Sequence, residues 1–178
     1  MTDEESLLAA IYEDVRLTPY DPSWPGMFEI ERERLLLMFP GEFIDIQHIG
    51  STAVYGLTAK PIIDILAGVS SMSAAEDLIK PLCRSGYTTS AEFNATLPDS
   101  RWFMRWPNGH RTHHLHVAVH GGNFWIQRLR FRDSLRANPA LAAQYSQLKL
   151  TLAESHRSDR EAYTDAKAKF VIAASKDA

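Results

Sequence analysis

Apolar and polar positions change period several times along this chain, and each change marks an element. From Phe43 to Ile49, apolar residues alternate with Asp45 and Gln47, which predicts a half-buried strand. The next run, "PIIDILAGV", is apolar at nearly every position, so it predicts a central strand covered on both faces. "RTHHLHVAVH" places Leu115, Val117 and Val119 on one face of a further strand. "YTTSAEF" and "RWFMRWP" read as two more strands, and "VRLTPY" as an edge strand ended by Pro19.

Helical periods fill the rest. "TDEESLLAAIYED" opens on a capping box, Thr2 with Glu5. "DPSWPGMFEIERERLLLMF" has prolines only at its start and a stripe of Phe28, Leu35, Leu36 and Phe39, stopped by Pro40-Gly41. "SAAEDLIKPLCRSG" predicts a helix capped by Ser73 and Glu76, with Pro81 kinking it or marking its last turn. After Gly121 the period stays helical. "NFWIQRLRFRDSLRA" is one helix, and Asn138-Pro139 starts another with Leu141, Tyr145, Leu148 and Leu152 inward. A last helix is capped by Ser158 and Glu161, with Tyr163, Ala166, Phe170 and Ala174 inward.

Helices and strands do not alternate regularly enough for a doubly wound parallel sheet. The prediction is an α+β or α/β fold, a mixed sheet flanked by helices, in a single domain spanning residues 1–178. The sheet core covers about 15–120 and a helical C-terminal segment about 121–177.

Composition narrows the function classes. A net charge of −3 provides no basic stripe for a nucleic-acid partner. The single cysteine, Cys83, forms no internal disulfide and fits a reduced, cytoplasmic setting. The N-terminus is acidic where a secretory signal is basic. No apolar run approaches the roughly 20 residues that span a bilayer, so no membrane partner is expected.

The candidate chemistry begins with "QHIGSTAVYGLTAKPIIDILAGV". A strand ending in His48-Ile49-Gly50-Ser51 frees backbone N–H groups and a hydroxyl, which suits a phosphate cradle. Asp64 interrupts the following apolar strand and is positioned to hold a divalent metal, Mg²⁺, Mn²⁺ or Zn²⁺, against the phosphates. Lys60 adds a point charge for phosphate. The plainer alternative is a turn and a carboxylate buried against Lys60 or an arginine.

His114 and His116 are two apart on a strand and share a face. They suit a metal, with Asp64 or His48 as third ligand, or a general base. Arg101 and Arg105 share a strand face near them, and Arg128, Arg132 and Arg136 form one helical row. These make either an anion pocket or a solvated face paired with acids. Tyr145, Lys149, Tyr163 and Lys167 repeat a Tyr-x₃-Lys spacing on two helices. Helix packing accounts for the tyrosines, while the lysines cover apolar surface or face the sheet cleft.

Four motifs in order, "YDPSWPGMFEIERERL", "HIGSTAVYGLTAKPIIDILAGV", "THHLHVAV" and the stretch from "FRDSLRANPAL" to "KAKFV", resemble the GrpB family over about residues 18–173. That family is similar in fold to nucleotidyltransferases of the DNA polymerase β type. The resemblance matches Gly50-Ser51 to their Gly-Ser and Asp64 to their first carboxylate. It implies transfer of a nucleotidyl or phosphoryl group to a small acceptor, with Asp64, His114 and His116 catalytic or metal-holding. With the residue reading above, His48, Gly50, Ser51, Lys60, Arg101, Arg105 and Arg132 are the candidates to hold phosphate or substrate. Leu66 stands where the second carboxylate belongs, and the third has no match. Two-metal transfer needs several carboxylates. The alternative is therefore a non-catalytic module for a nucleotide or other anion. A chaperone-like module with a protein partner is a third reading, since a related domain is found fused to dephospho-CoA kinase.

Overall fold

The computed structural model describes residues 2–157 and 159–176. Two helices, α1 (Asp3–Tyr12) and α2 (Trp24–Met38), precede a hairpin of β1 (Asp45–Ile49) and β2 (Ile63–Val69). A 3₁₀ turn at Ser51–Ala53 opens the hairpin's connection. Next come α3 (Met72–Asp77), α4 (Ile79–Arg84), β3 (Tyr87–Thr88), α5 (Ala91–Ala95), β4 (Ser100–Arg105) and β5 (His113–Val119). Three helices close the chain: α6 (Asn123–Ala137), α7 (Pro139–Ser155) and α8 (Arg160–Lys176).

The five strands lie in the order β1-β2-β5-β4-β3. Among the described residues, only β2 and β5 pair in parallel. The other pairs are antiparallel, so the sheet is mixed, as predicted. β2 is interior but second in the order, and the centre belongs to β5.

The sheet has two unlike faces. Ile63, Ile65, Val69, Leu115, Val117 and Phe103 pack with Trp24, Phe28 and Leu35 of α2 and with Ala75, Leu78 and Leu82 of α3 and α4. On the other face, Ile49, Leu66 and Ala118 pack under Trp125 of α6. Gly68 is there because a Cβ would meet the Trp125 ring at 2.9 Å. A separate cluster joins α6, α7 and α8 to the hairpin connection through Val54, Leu57, Phe131, Leu135 and Tyr145.

Four local expectations change. The "VRLTPY" segment makes only a bridge, Thr18 with Ala59, rather than an edge strand. The α3 cap is Ser71, which accepts from the Ala74 N–H at 3.1 Å, while Ser73 lies inside the helix. The helix then breaks at Leu78, because Pro81 has no N–H for the Asp77 carbonyl one turn back. "YTTSAEF" is strand only at Tyr87–Thr88, since Ser90 caps α5 by accepting from the Phe93 N–H. Leu36 is 37% exposed, and Trp24, Phe28, Glu31 and Leu35 form the buried face of α2. Thr2 and Asn138 cap α1 and α7 as expected. The Ser158 cap lies outside the described residues. No helix among the described residues is long and apolar enough to cross a membrane.

Candidate functional site

Strand register decides which candidate residues meet. Parallel pairing sets Asp64 beside His114 and Leu66 beside His116, and antiparallel pairing sets Ile49 beside Asp64. Partners in a register share a face. Asp64, His114 and His116 therefore share the face covered by α6. His48 pairs with Ile65 and points the opposite way. There it stacks on Phe28, with ring centroids 4.8 Å apart, and bonds Thr52 Oγ1 at 2.9 Å.

Arg101 and Arg105 pair with Val117 and His113, which sends both to that opposite face as well. Arg101 is held by Glu76. Arg105 reaches buried Glu31 at 2.5 Å. Arg132 bolts α6 to β1, donating to Gln47 Oε1 at 2.8 Å and the His48 carbonyl at 3.0 Å. Arg136 does the same for the 3₁₀ turn through the Ala53 carbonyl. These guanidiniums are engaged with protein acceptors.

Around Asp64 the structure gathers other residues. Its Oδ1 accepts from His114 Nδ1 at 3.2 Å. Arg111 Nη1 lies 3.2 Å from His114 Nε2. A guanidinium can only donate, so Nε2 accepts and the His114 proton sits on Nδ1, toward Asp64. Gly50 is at φ +72, and a Cβ there would meet Asp64 Oδ2 at 2.6 Å. The Gly-Ser turn is thus a close approach of backbone to the carboxylate. The Asp64 side chain remains 31% exposed. Burial raises its pKa, but the hydrogen bond from His114 and the nearby His114, His116 and Lys167 outweigh this and hold it at about 2.

The C-terminal helices close over the turn with the two Tyr-x₃-Lys pairs. Lys149 of α7 is 2% exposed and donates to Ser51 Oγ at 2.9 Å and to the Thr58 carbonyl. Lys60 Nζ lies 4.3 Å and Lys167 Nζ 5.0 Å from the centroid of Tyr163 on α8. Burial first, then Lys167, lowers Lys60 and Lys149 to about 7. Lys60, Lys149, Lys167, Arg111 and Arg128 all feel the charge of Asp64. Lys167 and Arg128 also line a groove of about 620 Å³ between α6 and α8, with Phe124, Phe131, Val171 and Ile172.

Sequence reasoning left Lys149, Lys167, Tyr163 and Arg128 off its site, although the repeated Tyr-x₃-Lys spacing was the signal for three of them. No group of three or more His, Cys, Asp or Glu among the described residues is arranged to hold a metal ion. His114 has both ring nitrogens engaged, and the other charged side chains that act on Asp64 are cationic lysines and arginines, which are not metal ligands. This donor set does not fit a resident metal.

Two buried histidines, His48 and His113, and the half-buried His116 favour their neutral form. Burial lowers His48 and His113 to about 4 and His116 to about 3. Below their ordinary value of 6.5 the unfolded chain binds protons that the fold refuses. Stability should therefore fall as pH drops from 6.5 towards 4. Urea midpoints at pH 7 and pH 5 measure it, and equal midpoints would contradict the burial of these rings.

The model of the family described as "GrpB protein" matches residues 14–177. UPF0157 protein YqkA of Bacillus subtilis is 37% identical over 92% of this chain, which spans 47% of that protein. A dephospho-CoA kinase of Mycolicibacterium paratuberculosis is 30% identical over 86% of this chain, again with under half of its own length, 43%, covered. The crystal structure of conserved protein GrpB from Enterococcus faecalis superposes with a TM-score of 0.82 at 34% identity. It covers 91% of this chain and 96% of that one. Sequence, length of match and fold agree, and the chain belongs to the GrpB family.

Proposed function

We propose that this protein binds a small phosphorylated ligand of the nucleotide class in the cleft between Asp64 and helices α6–α8. One observation carries the reading. Five cationic side chains surround a single carboxylate, and of the five only Arg111 is ion-paired, to Glu13, among the described residues. Lys149 is buried, Lys60 and Lys167 are half-buried and Arg128 is exposed, and a multiply charged anion supplies the counter-charge that these four lack. Asp64, held ionised, accepts a hydroxyl or amine of the same ligand.

A metal-assisted nucleotidyl or phosphoryl transfer is the second reading. The observation favouring it is the ionised Asp64 beside the Gly-Ser turn. Against it, Leu66 is fully buried where a second carboxylate belongs.

A thermal-shift screen separates the two. Nucleotides and dephospho-CoA are tested with and without Mg²⁺, Mn²⁺ and Zn²⁺. Saturation at 100-fold over Kd adds about 2.7 kcal/mol. That is a rise of roughly 5–10 °C for a chain of this size. The shift should need no metal and should shrink in Arg128→Met. A shift that requires metal and vanishes in Asp64→Asn would favour transfer. No shift from any ligand would overturn the anion reading.

Binding should also depend on pH. Lys60 faces Lys167, Arg111, Asp64 and Glu13, and Lys149 faces Lys167 and Asp64. An added anion raises both lysines from about 7, so binding takes up protons. Affinity should fall as pH rises from 7 to 8.5. Titration calorimetry at both values checks this, and a pH-independent Kd would contradict it.

A further inference from the structure

We propose that Tyr163, Lys60 and Lys167 form the seat of the ligand's phosphoryl group. The inference rests on reading the cleft as an anion site, and it identifies which residues hold the anion. Tyr163 is fully buried, and its hydroxyl is the buried side-chain polar atom left without a hydrogen-bond partner among the described residues. Native folds rarely leave such a group unsatisfied, and a bound ion is one standard explanation where they do. Two ammonium groups flank the same ring, Lys60 at 4.3 Å and Lys167 at 5.0 Å from its centroid. Neither forms an ion pair or hydrogen bond with another described residue.

The chemistry of the three groups is one-sided. Two ammoniums can only donate, and the tyrosine has an O–H to give. A terminal phosphoryl group offers three acceptor oxygens around one centre and up to two negative charges. A carboxylate offers two oxygens in a plane and one charge. Compact ammonium point charges suit the former.

The Gly-Ser turn, which the sequence suggested as the cradle, has its hydroxyl engaged by Lys149. The two Tyr-x₃-Lys pairs thus divide the work. The pair on α7 braces the turn, and the pair on α8 holds the anion. Lys167 also lines the α6–α8 groove beside Arg128 and Phe124, which leaves room for the rest of the ligand.

The test uses the full chain, inorganic pyrophosphate as probe and titration calorimetry at constant ionic strength. Tyr163→Phe removes the hydroxyl and keeps the ring. It should fold with a melting temperature equal to or above the parent's, since the lost hydroxyl has no partner. It should bind pyrophosphate at least tenfold more weakly. Lys60→Met should weaken binding by a similar factor and carries the test if Tyr163→Phe does not fold. Parent-like binding by both variants overturns the proposal. Loss of binding in Arg128→Met in that case leaves the anion-site reading standing, with the seat elsewhere in the cleft. A parent protein that binds neither pyrophosphate nor nucleotide overturns both.

Discussion

Replacing Glu31 with alanine is expected to lower the melting temperature by about 10 °C. Glu31 is 1% exposed on α2, under the sheet face opposite Asp64. It accepts from Arg34 Nη2 at 2.8 Å, from Arg105 Nη1 at 2.5 Å and from the Tyr87 hydroxyl at 2.5 Å. Burial alone would raise its pKa, but Arg34, Tyr87 and Arg105 together hold it below the ordinary value of 4.5. Removing one member of such a network leaves the others without their partner. For a buried pair the loss is about 3–5 kcal/mol, and the part-exposed arginines place this case near the lower end. At roughly 2–4 °C per kcal/mol for a chain of this length, the shift follows.

The sign of the pH dependence is fixed as well. A carboxylate with a lowered folded pKa stabilises above its unfolded value, and that contribution is lost as pH falls through the folded one. The gap between parent and Glu31→Ala should narrow as pH falls below the ordinary carboxylate value of 4.5. Calorimetric scans at pH 7 and pH 3.5 measure it. A shift under 2 °C at pH 7 would mean that the network contributes no more than surface ion pairs do.

The Glu31 network also shows where sequence reading stops. Arg101 and Arg105 were correctly placed on one strand face by their spacing, since alternation is a local property. Which face it is depends on register, and a slip of one residue reverses it. Arg105 pairs with His113 rather than His114, so it meets Glu31 and not Asp64. The same limit hid the Asp64–His114 contact, because it requires the parallel pairing of β2 with β5 between residues 50 positions apart.

Elements with a strong pattern were legible: α2 and β5 from their apolar stripes, although Leu36 of α2 is exposed, β2 from its continuous apolar run, and α6 as one helical run. Short segments were not, where one hydroxyl decides the outcome. Ser90 turns the middle of a strand-like run into the cap of α5. The lysines of the cleft were legible as a spacing, with the sheet cleft as one of two directions they could face. Lys149 and Lys167 project inward at positions where a polar residue on a helix reads as solvated, and tertiary packing overrides that default.

Gly50 carries the second large expectation, and it connects backbone geometry to the site. Its φ of 72° and ψ of −169° lie in a region that only glycine occupies readily. An alanine there adds that strain, of order 1–3 kcal/mol, to a 2.6 Å approach of its Cβ to Asp64 Oδ2. The carboxylate cannot swing aside without breaking its bond to His114 Nδ1. Gly50→Ala should therefore cost about 3 kcal/mol or more and weaken anion binding by moving the turn that carries Ser51.

A double-mutant cycle separates the two causes. Asp64→Ala removes the carboxylate, including Oδ2 at 2.6 Å, and leaves in place the backbone strain and the milder 3.1 Å approach to the Asp64 Cβ. If the close approach matters, Gly50→Ala should cost less in the Asp64→Ala background than in the parent, by about 1 kcal/mol or more. Simple additivity would mean that glycine is required for its dihedral angles alone. The turn would then be an ordinary tight corner, and the contact with Asp64 would be a consequence of the fold rather than a reason for the glycine.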